Sequence, residues 1–525
     1  MITRKLLCIL LFLLMLGVCI TGCGGPQAPE KEKYSVLTIA TGKDSYGCDW
    51  AGKACLYSEG LVAFDSNLTI QPLLAKSWDI SEDGKIYTFH LVKGIKFHDG
   101  TPFTSAAVKY AFETYYKKEA QKDGIESIEL PDKYTVVFNL KKPNPIFLSN
   151  LAVYKEILSS SAVKKALENG VKPEDIVGHV YIGTGPFKFK EWIKGQKVVF
   201  VKNKDYWQGE VKIDEVVFKV IPDAQTRVIA LEAGDVDLIG NDPFSEISPE
   251  DLSKLREHPG IKVLKKEGMG ICWFAFNTYK EPFNDLKVRR AVEYAVDVKK
   301  IVNTLYKGEV LPTKKGGVIS PVFKYGNPNL RDYEYEPEKA KTLLSDAGWA
   351  DSDQDGILEK EGKPFSVTFV ISSRLPEWRA MSEMIQSQLK NVGIDVNIQV
   401  FELNAVREKW KKGDYDMITL TSMGTPHDDP QWHFEFHYSE ESMYRPVIND
   451  DELNVLIHRL KSVTGDERKE AYQKIQARIA ELTPGIYMHN RVYFAAVSDK
   501  VQNLDISPPL PWHRYQNLWK THIGT

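Results

Sequence analysis

The sequence predicts an α/β fold with an α+β segment inserted toward its N-terminal end, and three observations carry that prediction. Strand-helix-strand alternation occurs between Val216 and Ile239 and again between Val367 and Thr421, whereas the stretch from about Ile70 to Phe189 mixes short strands with helices in no such order. The third observation is bulk: 525 residues, 43% of them hydrophobic, can fill more than one core, which excludes a disordered chain. Formal charge is only −3 and no basic block or stripe occurs, so nucleic acid would lack the cation density its phosphates require.

Taken in order, Arg4 and Lys5 precede the apolar run Leu6 to Ile20, an export-signal core that falls short of the ~18 residues needed to span a bilayer. Ile20-Thr21-Gly22-Cys23 resembles the lipobox of bacterial lipoproteins. That resemblance implies removal of residues 1–22 and a lipid on Cys23; an uncleaved hydrophobic anchor is the alternative, and both put the bulk of the chain outside the cytoplasm. Residues 23–33, rich in Gly, Pro and charge, suit a solvated tether. Cys8 and Cys19 leave with the signal, so Cys48, Cys55 and Cys272 remain for the fold, and Cys48 and Cys55 could pair in an oxidising compartment.

Val36 to Thr41 reads as the opening strand. Within the insert, Ile86 to Val92 and Tyr134 to Leu140 read as strands and Ser105 to Tyr116 as a helix. Val216 to Ile221 is a β-branched run; Asp223 caps a helix to Ala233, Gly234 stops it, and Val236 to Ile239 resumes a strand. Val288 to Leu305 places seven apolar residues at helical spacing behind the caps Asn284 and Asp285, which predicts core helix. Val367 to Ile371, a helix from near Pro376, Gly393 and the strand Ile394 to Val400 form a second unit; a helix around Val406 to Trp410, Gly413 and the strand Asp416 to Thr421 follow. Asp351 to Gly356 repeats the opening of a calcium loop with Glu359 at its ninth position. Position twelve is Gly362 where a glutamate is needed, so a surface turn is expected.

Ala75-Lys76-Ser77-Trp78, Ser81-Glu82-Asp83-Gly84-Lys85, Tyr87-Thr88-Phe89 and Phe97-His98-Asp99-Gly100-Thr101-Pro102-Phe103 form a pattern that continues through Gly183 to Phe187, Asn203 to Trp207, Phe276-Asn277-Thr278 and Val288 to Ala291. The pattern resembles the family 5 extracellular solute-binding proteins of ABC importers and spans essentially the whole mature chain. The resemblance implies a two-lobed, periplasmic-binding-protein-like (type II) clamshell with an additional α+β domain in the first lobe. Residues 34–69 and 183–277 would build lobe I around an insert at 70–182, and 278–489 would build lobe II. Residues 490–525 would return to lobe I, with hinges near Asn277 and His489. Gly183 to Phe187 and Asn203 to Trp207 are expected to serve packing. A set including Val220 to Asp223, Thr226-Arg227, Glu232 and Asp235 resembles the nickel-binding branch more than the dipeptide branch.

Ligands of open α/β sheets lie beyond the carboxyl ends of strands, and the strand ending at Thr421 runs into Ser422 to His433, the first site candidate. In peptide-binding relatives the similar stretch carries an aspartate that pairs with the ligand's amino terminus, a role open to Asp428 or Asp429. His427, His433 and His437 place three of eleven histidines in one short segment. With a helix starting after Pro430, His433 and His437 stand one turn apart and could converge on nickel, cobalt or zinc. Against that stands a solvated or stacking helix face with Trp432, Phe434 and Phe436 on its packed side. Lys155 aligns where the nickel branch has an arginine that clamps the chelator's carboxylate, and a lysine lacks the two-pronged fork. Arg445 could supply the clamp or form a surface ion pair. Tyr46, Trp50, Trp273 and Trp432 offer flat apolar walls, with core packing the competing role for Trp273.

No HExxH or GxSxG occurs, nor an SxxK framed by partner motifs, so an extracytoplasmic hydrolase lacks its nucleophile or metal site. The expectation is a monomeric, non-enzymatic, lipid-anchored binding protein without a resident cofactor, which hands a small solute to a membrane permease. A nickel chelate is the favoured solute and a di- or oligopeptide the alternative. A receptor that presents its ligand to a signalling partner would use the same clamshell.

Overall fold

The computed structural model describes residues 34–43, 54–240, 247–373, 377–421, 428–506, 515 and 517–524, without the side chains of Tyr154 and Thr421. The signal, lipobox and tether expected in residues 1–33, and Tyr46, Cys48, Trp50 and His427, lie outside the described residues. From Val36 onward the chain forms one compact unit.

Ten strands form one mixed sheet in the order Asp395–Phe401, Ser366–Ser372, Met417–Thr421, Ile261–Phe276, Gly485–Ser498, Leu238–Gly240, Val36–Thr41, Glu215–Val220, Lys197–Lys202, Phe187–Ile193. Two long strands at its middle, Ile261–Phe276 and Gly485–Ser498, pair antiparallel along their length. Leu238–Gly240 adjoins Ala495 to Val497 at one end of this pair, and Met417–Thr421 adjoins Cys272 to Phe276 at the other. The register breaks between Glu267 and Ile271, where the pairing changes hands. A Cβ on Gly268 would come within 2.8 Å of the Arg491 carbonyl, so the close approach there requires glycine.

Both βαβ units form as read. Glu215–Val220 and Leu238–Gly240 flank Val36–Thr41 in parallel, joined by the helix Ala224–Glu232, whose capping Asp223 accepts from the Thr226 amide. Ser366–Ser372 lies parallel to Asp395–Phe401 and to Met417–Thr421. The helix Glu377–Lys390 buries Trp378, Met381, Ile385 and Leu389 on one face against this part of the sheet. The expected continuous helix through Val288–Leu305 is two, Leu286–Ala295 and Val298–Tyr306. Asp297 breaks it: its side chain accepts from the Lys300 amide and starts a new cap, while Val296 is extended.

The insert contains a four-stranded antiparallel sheet, Ala75–Ile80, Ile86–Leu91, Thr135–Leu140 and Ile125–Asp132 in spatial order, covered by the helix Ser105–Thr114. Beside it, Thr184 Oγ1, Tyr206 Oη, Trp207 Nε1 and Gln208 Nε2 all donate to the buried Glu59 carboxylate. Those four donors favour the anion, but burial outweighs them and pushes the Glu59 carboxyl up to about 7. The Gly183–Phe187 and Asn203–Trp207 stretches are thereby fastened to one carboxylate. Cys55 is buried, with its thiol raised to about 12 by desolvation.

Asp351, Asp353, Asp355 and Glu359 bring carboxylate oxygens within 4.8 Å of one another at the surface. The turn is organised by Asp351 accepting from Gly356, Asp355 accepting from Ile357 and Glu359 accepting from Ser352.

Candidate functional site

The segment after Met417–Thr421 resumes at Asp428, and the two adjacent aspartates have different surroundings. Asp429 is buried against Arg468, which donates Nε to Oδ2 at 2.7 Å and Nη2 to Oδ1 at 2.8 Å. Tyr472 Oη and the Gln431 amide donate to the same Oδ1. Burial alone would raise this carboxyl; the guanidinium and the tyrosine hold it below the ordinary aspartate range. Its lone pairs are therefore committed inside the second lobe. Asp428 is half-buried and accepts from Ser149 Oγ at 2.5 Å, a residue 279 positions earlier on the helix Phe147–Tyr154. Burial and the neighbouring Asp429 charge raise its carboxyl despite that donor.

Gln431–His437 is a short helix that turns its histidines inward: His433 and His437 are 3% and 4% exposed, while Trp432 is 39% exposed. Of the solvated or stacking face weighed against a metal site, the solvated form is not what the helix presents and the stacking form is, while Trp432, expected on the packed side, is the exposed ring. His437 lies flat on Trp410, ring centroids 5.3 Å apart, and edge-on to Trp273 at 5.5 Å; His433 is 4.7 Å away. Trp273 is fully buried and stacks on Tyr438 and Tyr487, whose hydroxyls bond each other at 2.7 Å. Within this set His433 Nε2, His437 Nδ1, Trp273 Nε1 and Trp410 Nε1 are buried without a hydrogen-bond partner among the described residues. Desolvation lowers the His433 imidazole to about 3 and puts His437 well below its ordinary value, so both rings are neutral and keep a lone pair.

Lys155 follows the Phe147–Tyr154 helix and is 7% exposed, with its ammonium 5.0 Å from the centre of the Tyr116 ring. It lines a cavity of about 800 Å³ together with Ala54, Tyr115, Tyr116 and Glu156, and a second of about 300 Å³ with Glu59. Burial lowers the Lys155 ammonium, and Asp123, Glu119 and Glu156 partly restore it. Arg445 lies elsewhere, over the Tyr279 ring at 4.1 Å and packed on Gly413, at the C-terminal end of the helix Leu403–Lys412, where a cation meets the negative helix end.

The structure therefore brings His433, His437 and Trp273 into one ring cluster, sets Asp428 against Ser149, and places Lys155 on a cavity wall. Sequence reading missed Arg468, Tyr472, Trp410 and Ser149. A buried-pair partner is visible only in three dimensions, although Arg468 on the inward face of the helix Gly465–Leu482 was a readable anomaly.

A model of the bacterial extracellular solute-binding proteins, family 5, matches residues 69–444. The chain belongs to that family. It is 31% identical over 481 residues to heme-binding protein A of Haemophilus influenzae, covering 85% of this chain and 84% of the relative. NikA from Brucella suis in complex with Fe(III)-EDTA superposes with a TM-score of 0.82 at 26% identity, covering 93% of this chain and 99% of that one. DppA from Helicobacter pylori in complex with the peptide STSA gives 0.72 at 27% identity, covering 93% and 98%. The chain is a solute-binding protein of an ABC importer, with the two-lobed α/β architecture of its relatives, and not an enzyme. Members of this family act outside the cytoplasm and deliver ligand to ABC permeases. Among the described residues no helix is long and apolar enough to cross a membrane.

Proposed function

We propose that the solute is a nickel chelate and that a lipid on Cys23 holds the chain at the outer face of the cell membrane. One observation carries the ligand assignment: two neutral imidazoles, His433 and His437, are buried with an unpartnered nitrogen each. An unpaired buried nitrogen costs ~1–3 kcal/mol, and coordination to a borderline divalent ion is a bond that both rings can make without losing a proton. His427 is a further ligand candidate on the same segment, and the buried Lys155 ammonium suits a chelator's carboxylate. Asp429, which a peptide's ammonium would seek, is already held by Arg468. Binding without turnover, followed by release to the permease, requires only that the guest favour the closed lobes over the open ones.

Calorimetry with nickel alone, with nickel plus histidine and with di- to pentapeptides tests the assignment. Nickel-dependent heat that weakens at least tenfold on replacing His433 or His437 by alanine is expected; unchanged nickel affinity in the variant lacking His427, His433 and His437 would end it. A peptide is the second reading, favoured by Asp428, whose raised carboxyl has Ser149 as its only hydroxyl donor among the described residues. Peptide-dependent heat lost in Asp428→Asn selects that reading. Cys23→Ser should move the chain from the membrane fraction to the soluble one.

A further inference from the structure

We propose that the Ser149–Asp428 hydrogen bond is a cross-cleft clasp, which biases the guest-free chain toward its closed conformation. Ser149 sits on a helix that packs against Val62–Phe64 of the first lobe, and Asp428 follows a strand of the second lobe. The 2.5 Å bond is charge-assisted, hydroxyl to carboxylate, with Ser149 buried and Asp428 half-buried, so water competes poorly for the serine end. Other bonds among the described residues that join these parts of the chain have a different place. Arg256–Glu309, Lys307–Ser253 and the contact of Ser320 Oγ with the Gly268 carbonyl lie on or beside the long paired strands, close to the register break that serves as the hinge of this proposal. The serine–aspartate pair lies off those strands, joining the helix Phe147–Tyr154 to the residue three positions before the helix Gln431–His437, so a motion that separates these two helices breaks it.

Asp428 also has reason to hold on to its donor. Asp429 is adjacent, its charge is already paired with Arg468, and the lysine that acts on Asp428, Lys324, does so without an ion-pair contact among the described residues. Losing Ser149 leaves a half-buried carboxylate to be rehydrated, which an opening rotation achieves. The clasp works on the lobe equilibrium whatever the guest is, so its test does not depend on the nickel assignment.

Single-molecule energy transfer on dialysed, guest-free protein tests it, with dyes on exposed Glu126 of the insert and exposed Val455 of the second lobe. Ser149→Ala and Asp428→Ala should each lower the closed-to-open ratio about tenfold, a typical worth for one charge-assisted bond. The double variant should fall no further than either single one, because each residue acts through the other. Asp428→Asn keeps an acceptor for the serine and should fall between. Identical transfer histograms for wild type and both alanine variants would overturn the clasp, as would additive effects in the double variant. Unchanged melting temperatures check that the variants remain folded.

Discussion

Arg468 reaches 39 positions back along the chain to grip Asp429 with two nitrogens, and it also donates to the Leu460 and Val463 carbonyls and to Gln431. Every donor of this buried guanidinium is thus aimed at oxygen, which is the condition for burying such a charge. Breaking the pair from one side strands the other charge, at a cost of about 3–5 kcal/mol. Arg468→Ala should therefore unfold the second lobe at markedly lower denaturant, while Asp429 and Arg468 both replaced by apolar residues of similar size should recover much of that loss. A denaturation midpoint unmoved by Arg468→Ala would remove Asp429 from the fold's support and return it to the list of ligand contacts. The sequence marks Asp429 as chemically notable, because an aspartate at the end of a parallel strand is where ligands sit. What it cannot mark is the partner, since the distance that decides structure against binding is set by how the helix Gly465–Leu482 packs. His433 and His437 repeat the lesson: spacing correctly puts them one turn apart, but which face points inward depends on Trp410 and Trp273, each from another element.

At the scale of elements, periodicity carried most of the architecture. Both βαβ units and their glycine stops were readable because strand and helix patterns repeat within one segment, and so were single strands of the α+β stretch such as Ile86–Leu91 and Thr135–Leu140, though not their antiparallel pairing. The continuous helix over Val288–Leu305 was not: an aspartate is disfavoured in mid-helix yet tolerated there, and the apolar spacing runs on past Asp297, so only its capping bond to the Lys300 amide reveals the break. The glycine turn at residues 183–185 gives a test at this scale. A Cβ on Gly185 would meet the Leu56 carbonyl oxygen at 2.6 Å, and one on Gly183 the Tyr57 carbonyl oxygen at 2.3 Å. These neighbours are backbone and cannot rotate away, so Gly185→Ala should cost at least ~1–3 kcal/mol, as overpacking does. The displaced turn would also pull Thr184 from Glu59, loosening the knot that Tyr206, Trp207 and Gln208 share. Calorimetric melting of Gly185→Ala within one degree of wild type would show that this turn has slack.

For the whole molecule, buried histidines set how stability depends on pH. Burial holds His98 and His489 neutral, each lowered to about 4; His98 bonds the Gly185 carbonyl at 2.9 Å, and His489 bonds the Asn490 carbonyl at 2.8 Å and Tyr306 at 3.2 Å. In the unfolded chain both protonate near 6.5, so between that value and about 4 the unfolded state binds two protons that the folded state refuses. Their stabilising share is complete above 6.5 and drains away as pH falls. Glu59 acts in the opposite sense: its folded value of about 7 exceeds the ordinary 4.5, so in the same window the folded state holds one extra proton and gains stability on acidification. For these three groups, two protons against one leave the unfolded state ahead by about one, a share of ~1.4 kcal/mol of stability lost per pH unit near pH 5.5, which the raised carboxyls of Asp123, Asp237, Glu293 and Asp428 offset in part as the pH falls further. His433 and His437, when no metal is bound, are lowered in the same direction and steepen the loss. Melting temperatures should accordingly fall from pH 7 to pH 5 in guest-free protein, and His98→Gln, which keeps a donor for the Gly185 carbonyl but cannot titrate, should flatten that fall by about one proton's worth. A melting temperature that is level or rises over the same interval would mean that water reaches these rings and that their burial is less complete than the packing around them requires.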